Sequence, residues 1–210
     1  MSSAPGSEAA RSPYHHGNLR LDLLTAAREL SQEVGAEAVT LRETARRAGV
    51  SHAAAYHHFA DKRDLLRSLA IDATVDLTAL MAQAAEGQGT LRQTLESIAL
   101  CYLRFARGRS SEFRFMFQKE LCASPGEPDA LKDAQEALQE VVVAYLREHT
   151  SETRGGDASQ LALALWSLVH GFATIVIETP ALKHVPSDHT DEIARELIGI
   201  LLGGIAAVGS

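Results

Sequence analysis

Apolar residues recur at three- to four-residue spacing from Leu19 through Leu23, Ala26, Ala27 and Leu30 to Val34, and Gly35 follows. That rhythm predicts an amphipathic helix starting near Asn18 and closed by a glycine C-cap. Thr40 opens a second, with Glu43 three residues on as the partner of a capping box. This helix is short, turns Leu41, Ala45 and Ala48 inward, and stops at Gly49. Ser51 caps a third helix reaching about His58, and Asp61 caps a fourth with Leu65, Leu66, Leu69, Leu77 and Leu80 on its buried side. The fourth fades by Gly87 and Gly89. Thr90 restarts the pattern through Leu95, Ile98, Leu103 and Phe105 to Gly108. Glu112 to Cys122 reads as a further helix, ended by Ser124-Pro125-Gly126. Leu131 to His149 is amphipathic, with Leu138, Val142, Tyr145 and Leu146 inward, and a polar loop follows to Asp157. Ser159–Glu178 and Asp191–Val208 are strongly apolar helices separated by a stretch holding Pro180 and Pro186. No run alternates strictly in twos, so the predicted fold is all-α: a small helical unit ahead of a larger one.

Composition narrows the classes further. With 210 residues, 46% of them hydrophobic and 22% charged, the chain has core material for one large or two small domains and is no low-complexity segment. Cys101 and Cys122 have no CxxC spacing, which suits a reducing compartment. Met1 to Arg11 lacks the apolar run of a signal peptide, and the apolar stretch from Leu197 to Val208, with three glycines, falls short of the ~20 residues a bilayer requires. A cytoplasmic protein without a membrane partner is expected. The net charge is −7, but its distribution is uneven. Arg11 to Arg67 holds nine basic and seven acidic residues, whereas Ser68 to Ser210 holds eleven and nineteen. Five of the nine histidines (15, 16, 52, 57 and 58) lie in the more basic segment.

Inside that segment, TLRETARRAGVSHAAAYHHF carries the first specific chemistry. Two short helices meet at Gly49, where a tight turn calls for positive φ, and Ala45 is small where the axes approach. Val50, Ala55 and Phe59 can fill the hollow beneath, leaving Ser51, His52, Ala53 and Tyr56 projecting from a helix that fits a major groove. An ordinary helical corner would share the glycine and the alanine, so the flanking residues decide.

Those residues, Tyr56-His57-His58-Phe59-Ala60-Asp61-Lys62-Arg63 followed by Leu65-Leu66, closely resemble the Y-x-H/Y-F-x-x-K-x-x-L signature of the TetR family of bacterial transcriptional regulators. The Leu19–Gly35 helix and the VTLRETARRAGVS block match that family's first two helices in order and spacing, so the resemblance covers about residues 14–68. Residues 1–13, small and polar, read as a tail, and the resemblance implies a DNA-binding domain over 14–68 followed by a regulatory and dimerisation domain over 69–210. It also implies a homodimeric repressor that leaves a double-stranded operator when a small-molecule inducer binds. By the same resemblance, Thr40 and Lys62 contact phosphates, Tyr56 and His57 pin the recognition helix to the backbone, and Arg42 and His52 sit where bases are touched; Ser51 and Ala53, projecting from the same turn, complete the expected DNA-binding set. Arg42 could instead bridge to a carboxylate, and His58 is open between a backbone contact and packing beside Phe59. One departure stands out: Ala53-Ala54-Ala55 replaces the usual Gly-Thr-Leu, so readout leans on His52, Arg42, alanine contacts to thymine methyls and DNA shape.

The last two helices carry apolar residues nearly all round, as helices buried on both sides do. A two-fold four-helix seam between copies would bury the second side, with Leu161, Leu165, Phe172, Leu197, Leu201 and Ile205 in it. Trp166-x-x-x-His170-Gly171 resembles the W-x-x-x-H-G signature of one group of TetR carboxy-terminal domains. Trp166 and His170 share a helix face. Either they line an inducer pocket with Phe105, Phe113 and Phe117, or they form a core Trp and a hydrogen-bonded His at the seam. The adjacent histidine pairs lack the i,i+4 spacing that converges on one ion, so no metal is expected. No cofactor loop and no nucleophile–base set is present either, so no enzyme is expected.

Overall fold

The computed structural model describes residues 19–87, 89–123, 128–149, 157–182 and 184–208, which form nine α-helices and no strand. In chain order these are α1 (Leu19–Val34), α2 (Leu41–Arg47), α3 (His52–His58), α4 (Lys62–Ala85), α5 (Leu91–Gly108), α6 (Ser110–Met116), α7 (Ala130–Glu148), α8 (Ala158–Glu178) and α9 (Ser187–Val208). The tail over 1–13, His15, His16, the Ser124-Pro125-Gly126 break and the loop over 151–156 lie outside the described residues.

Four start signals act as the sequence suggests. Thr40, Ser51, Asp61 and Thr90 each accept a hydrogen bond from the backbone N–H three residues on. The box expected at Thr40 is only half made, because the Glu43 carboxylate turns to the Arg46 guanidinium instead of returning to the cap. The full reciprocal box forms at Thr90 with Gln93. Gly35 takes φ 89° and ψ 166°, a region open essentially to glycine alone, and a short 3₁₀ turn (Ala36–Ala38) intervenes before α2.

Two apolar cores share α4. Leu65, Leu66, Leu69 and Ala70 join α1, α2 and α3 residues such as Leu23, Ala45 and Ala55, while Ala73, Leu77 and Met81 join α5, α7, α8 and α9. The helix runs unbroken through the boundary expected after residue 68. Phe115, Leu121 and Leu131, from far along the chain, complete the first core, so the amino-terminal head is packed onto the body. Polar groups tie the same joint. Glu112 of α6, fully buried, accepts from Arg28 Nε (2.9 Å), Gln32 Nε2 (3.3 Å) and Arg109 Nε (3.0 Å), and Ser111 Oγ donates to the Ser31 carbonyl at 2.7 Å.

Several elements differ from expectation. The helix over 112–122 ends at Met116, whose carbonyl accepts from the Gln135 side chain, and a 3₁₀ turn over Lys119–Leu121 then drops Leu121 into the head core. The last helix starts at Ser187, directly after Pro186, four residues early, because Asp191 is spent on Arg104 (Nε–Oδ2 3.0 Å) inside it. Val34 (63% exposed) and Leu80 (45%) point to solvent, since the spacing rule continues past the end of the surface each helix covers. Finally, α8, at 21 residues and mean hydropathy 1.7, is by length and composition apolar enough to cross a membrane, although Ser167, His170 and Thr174 interrupt it so that it holds no long continuous apolar run. In the fold it packs against α5 and α7.

Candidate nucleic-acid interface and ligand cavity

The helix-turn-helix is built on one backbone device. Gly49 sits at φ 69°, its N–H bonds the Arg46 carbonyl (3.2 Å), and the Val50 N–H bonds the Ala45 carbonyl (3.0 Å). This paired closure ends α2 and launches α3 from Ser51. On the inner side Ala55 (0% exposed) and Phe59 (1%) anchor α3, and Arg20 lies over the Phe59 ring at 5.4 Å. On the outer side Ser51, His52, Ala53, Tyr56, His57 and His58 are all exposed, as are Thr40, which caps α2, and Arg42 within it. The His52 and Tyr56 rings meet edge to face at 4.8 Å. His58 is exposed, whereas its neighbour Phe59 is buried. Among the described residues Arg42 makes no hydrogen bond or ion pair, whereas Arg46 is held by Glu43 and Arg47 by Glu29 and Glu33. Lys62, at the start of α4, donates to the Ala36 carbonyl at 3.3 Å and so braces the 3₁₀ turn.

The body holds a cavity of about 220 Å³, open to solvent on one side and bounded by α4, α5, α7, α8 and α9. Its walls are largely aliphatic, including Leu95, Ile98, Leu138, Val142 and Ile198, and Trp166 and Tyr102 supply the aromatic side. Behind that side lies an aromatic cluster centred on His170. The Tyr102 hydroxyl and His170 Nδ1 are 2.8 Å apart, Trp166 stacks on the imidazole at 5.1 Å, and Phe117 and Phe113 contact it at 4.5 and 5.6 Å. Burial pushes the Tyr102 phenol well above its ordinary value and the His170 imidazole below its own. Both effects keep the pair neutral.

Comparison with known proteins agrees with this arrangement. Residues 23–69 match the family described as bacterial regulatory proteins, tetR family, and residues 95–201 match the tetracyclin repressor-like C-terminal domain. The chain belongs to the TetR family. Among curated relatives, it is 30% identical over 161 residues to the HTH-type transcriptional repressor BepR of Brucella suis, covering 71% of this chain and 76% of that protein. It is 29% identical over 123 residues to the HTH-type transcriptional activator FasR of Mycolicibacterium smegmatis, of which it spans 56%. A protein of unknown function from Rhodococcus superposes with a TM-score of 0.76 at 31% identity, over 92% of this chain and 98% of that one. The FadR regulator of Bacillus subtilis, solved with stearoyl-CoA, shares the fold at TM-score 0.68 and 16% identity, over 88% and 98%.

Within this TetR fold the expected residues separate. Of the five aromatic residues expected to line a pocket, only Trp166 does; His170, Phe113 and Phe117 form the layer behind it, and Phe105 is buried under the Arg109 guanidinium at 4.7 Å. Leu161 and Leu165, expected at a seam between copies, are 7% and 5% exposed in the single chain and belong to its own core. The helix turns them toward the body while Leu163 (61%) and Ile175 (53%) face outward. Phe172, Leu197 and Leu201 are half-buried, and the Ile205 side chain lies outside the described residues. The residues missed were the small and β-branched ones, Ala99, Ala162 and Val143, that shape the cavity. Their signal was alanine at inward positions where a tightly filled core would carry leucine.

Proposed function

We propose that this TetR-family chain is a homodimeric, cytoplasmic repressor. Residues 14–68 seat the two α3 helices in successive major grooves of an operator, and residues 69–210 take up a small apolar or amphipathic ligand that releases the DNA. The observation that carries the DNA reading is the outer face of α3, where six consecutive-turn polar, aromatic and small residues stand exposed over a fully buried Ala55 and Phe59. Thr40 and Lys62 take phosphates, Tyr56 and His57 fix the helix on the backbone, and Arg42, Ser51, His52 and Ala53 meet base edges. Repression rather than activation is favoured by the likeness to BepR, which extends over more of both chains than the likeness to FasR. The exposed apolar residues of α8 and α9, such as Ile175 and Ile200, support pairing of two copies through those helices. Such a pair would set its recognition helices about 34–36 Å apart. The Trp166–His170–Gly171 motif is assigned to the carboxy-terminal type it resembles.

The test is capture of genomic fragments by the purified protein, followed by binding isotherms across salt. Lys62→Ala should weaken every fragment alike and lower the salt slope by about 1, while His52→Ala should change the ranking of fragments. Absence of any preferred fragment, or equal losses on all fragments for both variants, would overturn the reading.

A further inference from the structure

We infer that the ligand of the α4–α5–α7–α8–α9 cavity is an uncharged, compact hydrocarbon-like molecule of about nine or ten non-hydrogen atoms, excluding amphiphiles with an ionised end. The inference rests on the regulatory reading above and narrows it. Size comes first. An apolar cavity of about 150 Å³ accommodates benzene, so the 220 Å³ here scales to a ligand about half as large again. A single substituted ring or a chain of about nine carbons fills it, and a longer acyl chain would reach past the rim.

Charge decides the class. Among the described residues lining the cavity there is no Asp, Glu, Lys, Arg or His. The buried polar group on its wall, the Tyr102 hydroxyl, is already paired with His170 Nδ1 at 2.8 Å. An ionised headgroup brought inside would lose water and gain no counter-ion, which is prohibitive. Among the described lining residues, those exposed at the rim are Gln139, Ser159 and Leu163, all uncharged. A neutral hydroxyl, by contrast, can rest at the rim against Gln139 or Ser159.

The chain has one tryptophan, and it lines this cavity, so emission from Trp166 reports occupancy directly. The full-length protein is titrated with n-butylbenzene, 1-nonanol and nonanoate at pH 7.5. Expected is a saturable change with the first two and at least about tenfold weaker binding of nonanoate, its charge being unpaired inside. Ala162→Leu or Ala99→Leu should abolish the nonanol response while far-UV circular dichroism stays helical. Should both misfold, Val143→Phe at the half-buried wall must weaken it. Nonanoate binding as tightly as nonanol, no response to either neutral probe, or folded filled variants with undiminished affinity would each overturn the inference. Operator binding is measured on the same preparation. Its loss would sink the repressor reading alone, because the Trp166 titration is scored without DNA.

Discussion

At the residue scale, two positions carry consequences that can be measured. Gly49 holds φ 69° between α2 and α3, a conformation costing an L-residue about 1–2 kcal/mol. Gly49→Ala is therefore expected to lower stability by about 1–2 kcal/mol in urea denaturation and to weaken operator binding by misaligning α3. His170 is the second. Its imidazole is held below the ordinary 6.5 by burial, so the unfolded chain takes up the proton first as pH falls. Stability is whole above pH 6.5 and declines as pH drops from there through the lowered value of the folded state. Denaturation midpoints between pH 7.5 and 5 should fall more steeply for the wild type than for His170→Leu, which has no proton to gain. Gly49 was legible in the sequence because a turn between short helices needs a glycine. The neutral Tyr102–His170 pair was not, since its members are 68 residues apart.

At the scale of elements, α6 is short, only Ser110–Met116, and touches both halves of the molecule. Ser111 and Glu112 hold α1, while the next residue, Phe113, contacts Tyr102 and His170. Glu112 is completely buried and bonded to Arg28 and Arg109, whose side chains are 30% and 21% exposed. Removing a buried partner from an ion pair costs about 3–5 kcal/mol, less where the remaining cation can reach water. Glu112→Ala is expected to destabilise by about 2–3 kcal/mol, read from the urea midpoint at constant slope. Helix starts were readable because Thr, Ser and Asp caps act within three residues. Helix ends were less so: α6 stops where a side chain from α7 captures the Met116 carbonyl, an interaction across 19 residues.

For the whole molecule, the outward apolar surface of α8 and α9 sets the expected assembly. Ile175 and Ile200 are 53% and 71% exposed in the single chain. If two copies pair there, Ile175→Glu with Ile200→Glu should convert a sedimenting dimer into a monomer and abolish tight operator binding, because half-sites are read together. Far-UV circular dichroism should stay unchanged, since neither residue belongs to the protomer's core. The expected seam contained Leu161 and Leu165, which the protomer keeps for itself. Periodicity identifies an apolar helix but not which of its faces belongs to which neighbour.

The amino-acid sequence alone determined the all-α class, the order of the helices, the helix-turn-helix and its exposed residues. Each of these depends on groups within a few positions of one another: a cap, a glycine turn, a three-to-four spacing. Tertiary structure alone decided that α4 is shared by two cores, that Glu112 closes the joint between them, and that aliphatic walls with Trp166 and Tyr102, rather than Phe105, Phe113 and Phe117, line the cavity. Those outcomes follow from how side chains distant in sequence compete for the same buried volume, and no local pattern encodes the winner of that competition.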